Sequence, residues 1–166
     1  MATARYVNLV AGKLKQIVAS VTSTPDAIVA MDATGRIDPG VLPVGVGAET
    51  LTVASSENLA GGDFVNLWNS SGAKVRKADA TTAGKVAHGF VLAAVTAPAN
   101  ATVYLPSQTN TGLTGLTVGA DCYLSTTPGL ATATPPSGAG NVVQYLGTAH
   151  STSAMVFVES PTIELA

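Results

Sequence analysis

Two histidines, one cysteine and one compact group of basic residues are the side chains in this sequence that could carry chemistry. His88 and His150 are the only histidines. A hydrolase of the serine or cysteine type needs a nucleophile, a base and a group that orients the base. The serines lie in turn-rich segments, no Gly-x-Ser-x-Gly elbow occurs, and neither histidine has a partner nearby in sequence. We therefore expect both histidines to be strand-end or interface residues, and we expect no catalytic residues and no enzyme activity.

The sequence also gives no pattern typical of a metal or cofactor site. Zinc sites need clustered histidine and cysteine ligands, and Cys122 is the single cysteine. The aspartates Asp32, Asp38 and Asp63 are scattered and form no calcium-binding loop. We therefore expect no metal and no cofactor. Because Cys122 lies in an apolar, strand-like run and has no second cysteine to pair with, we expect it to be a small buried hydrophobic residue.

The basic group consists of Lys74, Arg76 and Lys77, together with Lys85. On a strand, Lys74 and Arg76 would share one face, and Lys77 would share the other with Val75. One interpretation is an electrostatic contact with a partner, such as an acidic protein surface or a nucleic acid. The other, which we favour, is protection of a hairpin edge by charge against pairing with another strand. The four residues are the candidate partner contacts of this chain.

Charge is sparse and unevenly distributed along the 166 residues. Charged residues make up 11% of the sequence, against about 25% in typical soluble domains. Every lysine and arginine lies at or before Lys85, and beyond it the only acids are Asp121, Glu159 and Glu164. A surface so poor in charge is weakly protected against self-association. We expect much of it to be covered by copies of the chain or by a partner protein.

The net charge of −2 gives no reason to expect binding to nucleic acid or to a membrane surface. No apolar run approaches the length of a membrane span, and the N-terminus lacks the pattern of a secretory signal. We expect synthesis in a cytoplasm.

From Thr50 onwards, short runs of β-branched and aromatic residues alternate with turn signals. Their spacing of roughly 8–12 residues is typical of an all-β sandwich or barrel. One predicted strand is Asp63–Asn69 and another is Ala73–Lys77. The clearest hairpin joins Phe64–Trp68 to Ala73–Lys77 through Asn69-Ser-Ser-Gly72. The other predicted strands are Thr50–Ala54, Val86–Thr96, Ala101–Pro106, Ala120–Ser125, Leu130–Thr134, Asn141–Ala149 and Ala154–Glu159.

The first 48 residues have a different character. Residues 5–10 and 13–22 alternate around Ala11-Gly12, which favours a hairpin; a short helix over residues 13–19 is the alternative. Residues 32–49 contain two prolines and four glycines, which exclude a continuous helix or central strand. We therefore predict an extended N-terminal arm or linker over residues 1–48 and a β-sandwich or barrel body, jelly-roll-like, over residues 49–166.

Several motifs resemble proteins of tailed bacteriophages. They include Gly61-Gly-Asp-Phe-Val-Asn-Leu67, Val75-Arg-Lys-Ala-Asp-Ala80, Ala87-His-Gly-Phe-Val91 and Val143-Gln-Tyr-Leu-Gly-Thr-Ala149, with the Gly112–Ser125 segment and Pro135-Pro136. From about Glu49 to the C-terminus the chain is similar to the small head-decoration, or capsid cement, proteins, and also to β-modules of phage tail fibres. Residues 30–38 and Leu42-Pro43 resemble linkers of phage fibre and virion proteins.

The resemblance implies a structural virion protein that binds the outer surface of a capsid and cements neighbouring subunits. Its partners would be the major capsid protein and further copies of itself, as a dimer or trimer. The second function that it implies is a tail-fibre or receptor-binding module. The family has no catalytic residues to transfer.

Overall fold

The computed structural model describes residues 5–10, 13–20, 28–31, 33, 35, 37 and 47–166. The chain divides into two compact units, Met1–Gly47 and Ala48–Ala166. In the first unit, β1 (Arg5–Val10) and β2 (Lys13–Ser20) form an antiparallel hairpin, and β3 (Ile28–Val29) pairs in parallel with β2. The predicted hairpin is thus confirmed over the alternative helix. Most of the predicted Pro/Gly linker lies outside the described residues.

The second unit contains a closed barrel of five strands. These are β4 (Thr50–Ser55), β5 (Phe64–Asn69), β6 (Ala73–Lys77), β7 (Gly89–Phe90) and β8 (Asn100–Tyr104), in the order β4-β6-β5-β7-β8. The barrel closes through antiparallel pairing of β8 with β4. The all-β class is therefore confirmed, and a barrel is present in the body.

The predicted hairpin between β5 and β6 is confirmed, with Asn69 opposite Ala73. The Asn69 side chain accepts a hydrogen bond from the Gly72 amide at 3.1 Å. Gly72 has a φ of 114°, a conformation that glycine adopts at little steric cost. The turn residues identified in the sequence therefore fix the register of this hairpin.

A second sheet carries the C-terminal half of the unit. Its strands are β10 (Asp121–Leu124), β11 (Ala131–Thr132), β12 (Val142–Thr148) and β14 (Thr162–Glu164), in the order β11-β10-β12-β14. A short antiparallel pair joins β9 (Thr109–Asn110) to β13 (Met155–Val156). The helical content of the described residues is one 3₁₀ turn at Ala83–Lys85.

The predicted strand Val86–Thr96 is wrong as a continuous element, because only Gly89–Phe90 is a strand. The segment runs beside residues 59–65 but is bonded to them only at separate points. The Val91 amide donates to the Asp63 carbonyl, and Val95 forms an isolated bridge with Leu59. Bends lie between them at Leu92 and Ala93. An apolar run indicates that a segment is buried, whereas a strand also requires continuous backbone pairing with an adjacent strand. Strands β9 and β14 were not predicted.

Two apolar cores lie on opposite sides of β5. Val65 belongs to the barrel interior, and the adjacent Phe64 points to the other side, as alternation along a strand requires. The barrel core is formed by small and medium-sized residues: Val53, Leu59, Val65, Val75, Val91, Ala101 and Val103. The second core contains the larger side chains, among them Phe64, Phe90, Leu124, Leu146, Met155 and Phe157.

Phe157 connects the end of the chain to the barrel strands. Its ring lies 5.7 Å from that of Phe64 and 6.2 Å from that of Phe90, centroid to centroid, and it is fully buried. A second connection is made by the buried Gln144 of β12. Its amide donates to the Ala87 carbonyl and accepts from the Ala87 N–H, both at 2.8 Å.

We predict that Phe157→Ala lowers the free energy of unfolding by about 3–5 kcal/mol, because it opens a cavity between the barrel strands and the second sheet. Chemical denaturation of the full chain measures this change. The matched control is Val158→Ala, whose side chain is exposed and should change stability by about 0.5 kcal/mol or less. Equal effects of the two substitutions would contradict the packing described for Phe157.

Candidate functional site

The predicted basic cluster lies on β6 and on the 3₁₀ turn that follows it. Val75 faces the barrel core, so its neighbours Lys74 and Arg76 share the outer face, as predicted. Strand β6 is paired with β5 on one side and with β4 on the other. The interpretation of the cluster as protection of a free hairpin edge is therefore wrong, because β6 is not an edge strand.

Arg76 is bound within the body at several points. Its Nε donates to Asn66 Oδ1 at 3.0 Å, its Nη2 donates to the Gly84 carbonyl at 2.6 Å, and its guanidinium lies 4.4 Å from the centre of the Trp68 ring. Asn66 is buried and its amide also donates to the Val86 carbonyl at 2.8 Å. Arg76 thus joins β5, β6 and the 83–86 turn through charge-assisted hydrogen bonds and a cation–π contact.

Lys77 and Lys85 each form an ion pair with an aspartate. Lys77 Nζ lies 3.2 Å from Asp63 Oδ2, and Asp63 also accepts a hydrogen bond from the Ala60 amide at 2.8 Å. Lys85 Nζ lies 3.0 Å from Asp79 Oδ2. Both aspartates are buried, so these lysines compensate carboxylates that would otherwise be costly to bury.

Asp79 is the acid whose titration the body perturbs. Burial acts to raise its pKa, but hydrogen bonds from the Thr81 hydroxyl and amide and from Lys85 outweigh burial, so its pKa is lowered. The Thr81 amide donates to Asp79 Oδ1 at 3.0 Å, and the Thr81 hydroxyl donates to the same oxygen. A carboxylate held in this way stabilises the fold while it is ionised.

Lys74 differs from the other three basic residues. Within residues 47–166, no ion pair and no side-chain hydrogen bond involves its ammonium group. The cluster that the sequence predicts as a partner contact therefore separates into three structural cations and Lys74, for which residues 47–166 supply no partner. A partner contact by these four residues stays a prediction, and Lys74 is the member best placed to make it.

The two histidines occupy different settings. His88 immediately precedes β7, and its Nδ1 accepts a hydrogen bond from the Leu67 amide at 3.0 Å, which assigns the ring proton to Nε2. Asn66 Nδ2 approaches the same Nδ1 at 3.4 Å. His150 is exposed, and its amide bonds to the Ala154 carbonyl. The structure places His88 at a strand end, as predicted, where the ring supports the backbone of β5.

Cys122 is buried on β10, which confirms the prediction of a small hydrophobic residue. Burial raises the pKa of its thiol, and the nearby Asp121 adds to the increase. Among the described residues, no group of three histidine, cysteine or acidic side chains is arranged to hold a metal ion. No helix in the described part of the chain is long and apolar enough to cross a membrane.

The charge-poor half of the body exposes five large apolar side chains, and the sequence does not show which ones they are. Val118 and Ile163 are 61% and 64% exposed. The exposed large apolar residues of this half are Val118, Leu130, Val156, Val158 and Ile163. We refer to these five side chains as the apolar surface. Its only signal in the sequence is the absence of charge after Lys85.

Aromatic residues cover part of the outer face of the second sheet. Tyr123 on β10 and Tyr145 on β12 lie opposite each other, with ring centroids 5.9 Å apart, and both are half-buried. Val143 and Ile163 continue the same face towards the edge of the sheet, because Val143 is two residues from Tyr145 and is paired with Ile163. The face is thus a continuous stripe of apolar and aromatic side chains.

A cleft of about 360 Å³ lies beside Leu130. Leu113, Leu116 and Leu130 supply apolar walls, and Gly62 and Gly112 form part of its lining. The two glycine backbones touch: a Cβ on Gly62 would lie 2.2 Å from the Gly112 carbonyl oxygen. The cleft has the chemistry to receive an apolar side chain from a partner protein.

We predict that Arg76→Ala lowers the free energy of unfolding by about 1–3 kcal/mol, since it leaves Oδ1 of the buried Asn66 side chain without the Arg76 donor. Lys74→Ala on the same strand should change stability by about 0.5 kcal/mol or less, because its ammonium has no partner within residues 47–166. Chemical denaturation of both variants measures the difference. A Lys74 variant as unstable as the Arg76 variant would contradict the division of the cluster.

We predict that lowering the pH reduces the free energy of unfolding of the wild type more than that of the Asp79→Asn variant. The pKa of Asp79 is lowered in the fold, so its contribution is present above the unfolded value of about 4 and is lost as the pH falls through the folded value. The stabilities of the two proteins should converge as the pH is lowered through this range. Denaturation curves at a series of pH values test this, and parallel pH profiles for wild type and variant would contradict it.

Comparison with known proteins adds no relative. Neither family models, nor curated proteins, nor solved structures give a match to this chain. The resemblance to head-decoration and tail-fibre proteins therefore depends on the sequence motifs alone, and the function that it implies is a proposal.

Proposed function

We propose that this chain is a structural virion protein that binds the outer surface of a bacteriophage capsid and cements neighbouring capsid subunits. The observation that carries the proposal is the apolar surface on a half of the body that is almost without charge. Large apolar side chains exposed on a face with little charge are suited to contact with another protein. The resemblance of residues 49–166 to head-decoration proteins supports the choice of partner.

The cementing mechanism follows from burial of this surface at a junction between shell subunits. Removing apolar surface from water contributes roughly 25 cal/mol per Å². The cleft beside Leu130 offers a recess for an apolar side chain of the shell. A chain that binds the assembled shell in preference to dissociated subunits stabilises the shell by mass action.

Lys74 adds an electrostatic contribution to this contact. Because no group within residues 47–166 binds its ammonium, Lys74 can approach acidic groups of the shell without breaking a contact among these residues. Contacts between exposed charges weaken as salt is added. Under this proposal, shell binding has an apolar part that is insensitive to salt and a smaller part that salt reduces.

A second candidate function is a tail-fibre or receptor-binding module. The half-buried pair of Tyr123 and Tyr145 favours it, since aromatic rings on a sheet face can stack on a sugar. The two functions differ in the location and number of copies of the chain. Many copies on the head support cementing, whereas a few copies at the tail would support the fibre module and end the cement proposal.

We predict that Leu130→Lys weakens binding to empty capsid shells about tenfold or more, because a charge then faces the apolar contact. Shell binding by co-sedimentation and the heat resistance of shells with and without the chain measure the effect. The matched control is Thr82→Lys, which adds the same charge at an exposed position in the basic half and should bind like wild type.

Lys74→Glu supplies the electrostatic comparison. It should weaken binding at low salt and lose its effect at high salt. Equal heat resistance of shells with and without wild-type chain would contradict cementing. Equal binding by the Leu130 and Thr82 variants would exclude the apolar surface as the contact.

A further inference from the structure

Strand β14 is the last strand of the second sheet and has one side without a neighbour. It pairs with β12 along Val142↔Glu164, Val143↔Ile163 and Gln144↔Thr162. Within the described residues, no other strand pairs with β14. All three of its residues are exposed. A strand edge of this kind offers backbone donors and acceptors to another strand.

The hydrogen bonds show which backbone groups point outwards. The Leu165 amide donates to the Asn141 carbonyl at 2.9 Å, so it points towards β12. Because successive amides of a strand point to opposite sides, Ile163 also bonds towards β12, and Thr162 and Glu164 direct their N–H and C=O groups to the free side.

The adjacent residues support this assignment. Pro161 has no N–H to donate to β12, and the Ser160 hydroxyl donates to the Tyr145 carbonyl instead, at 2.8 Å. The residues on both sides of β14 thus also bond towards β12, as Ile163 does. The free edge then consists of two donors and two acceptors, spaced two residues apart.

We propose that β14 pairs antiparallel with β14 of a second copy of this chain, about a two-fold axis that passes beside Ile163. In this register Thr162 of each copy lies opposite Glu164 of the other. Each of these two pairs exchanges two backbone hydrogen bonds, so the interface contains four. The two Ile163 side chains face each other as a non-hydrogen-bonded pair, in which side chains are closest.

The side chains select this register among the symmetric ones. An axis at Glu164 would place two carboxylates directly opposite each other, which is unfavourable. An axis at Thr162 would place each Ile163 opposite Pro161. Only the axis at Ile163 joins the two most exposed large apolar side chains without opposing like charges.

A second copy is favoured as the occupant because the strand is complementary to itself in hydrogen bonding and, in this register, places no like charges directly opposite each other. The pairing would extend the four-stranded sheet to eight strands and continue its stripe of Val143, Tyr145 and Tyr123 across the axis. This inference names an interface for the self-association that we expect from the charge-poor sequence and from the resemblance to head-decoration proteins, on which the proposed function also rests. It is tested on the purified chain without shells, so its failure is distinguishable from a failure of shell binding.

The experiment is a concentration series of the purified full chain by sedimentation velocity. Wild type should shift from monomer to dimer as concentration rises. Ile163→Lys and Ile163→Glu should each raise the dissociation constant about tenfold or more, because like charges then face each other across the axis. An equimolar mixture of the two variants should recover a dimer, since opposite charges then meet.

Two further variants make the test specific to the backbone pairing. Glu164→Pro removes an outward N–H and leaves the inward bonds of Ile163 and Leu165, so it should weaken the dimer and leave the circular dichroism spectrum unchanged. Val118→Lys, at an equally exposed apolar position, should dimerise like wild type.

Three outcomes would overturn the proposal: a wild type that stays monomeric throughout the series, a dimer that the Ile163 variants do not weaken, or a mixture of the charged variants that does not recover it. Loss of shell binding in the Glu164 variant, combined with a monomeric wild type, would assign β14 to a shell strand and overturn pairing between copies.

Discussion

The body depends on the burial of both faces of β5. Phe64 and Val65 are neighbours in sequence, and both are fully buried in different cores. An antiparallel strand with one face in water would show a buried and an exposed set of residues. In β5 the outer face is covered by the second sheet at Phe64 and by the Arg76 network at Asn66 and Trp68. The barrel and the second sheet are therefore parts of one packed unit.

This arrangement determines what the charged residues can do. Because the body covers the outer face of the barrel, Asp63, Asp79 and Asn66 are buried and need partners. Lys77, Lys85 and Arg76 supply these partners. Three of the four residues of the basic cluster therefore have a structural role. Lys74 is the member for which residues 47–166 supply no partner.

Local sequence signals were sufficient where a structure depends on neighbouring residues. The Asn69-Ser-Ser-Gly72 turn predicted the β5–β6 hairpin, and alternation around Ala11-Gly12 predicted the β1–β2 hairpin. They failed where the structure depends on distant pairing. The run Val86–Thr96 is apolar, yet it is only a two-residue strand, because its bonds go to separate points between Leu59 and Val65.

The same distinction applies to the candidate site. Composition identified the four basic residues, but their partners come from the register of β5 against β6 and from the 79–86 turn, which no local pattern specifies. The interpretation as edge protection failed because the sequence does not show that β4 pairs with β6. One edge of the second sheet is β14, whose three residues carry no strong local strand signal.

The edge at β14 lies in the charge-poor part of the sequence. Sheet edges in soluble proteins are commonly protected by lysine or by proline. In this sequence no lysine or arginine follows Lys85, and Pro161 lies just before the strand, where it leaves the outward groups of Thr162 and Glu164 free. Glu164 is the one charged residue of the strand, and beside it Ile163 is 64% exposed. The pairing proposed between copies would bury this isoleucine and place each Glu164 opposite a threonine.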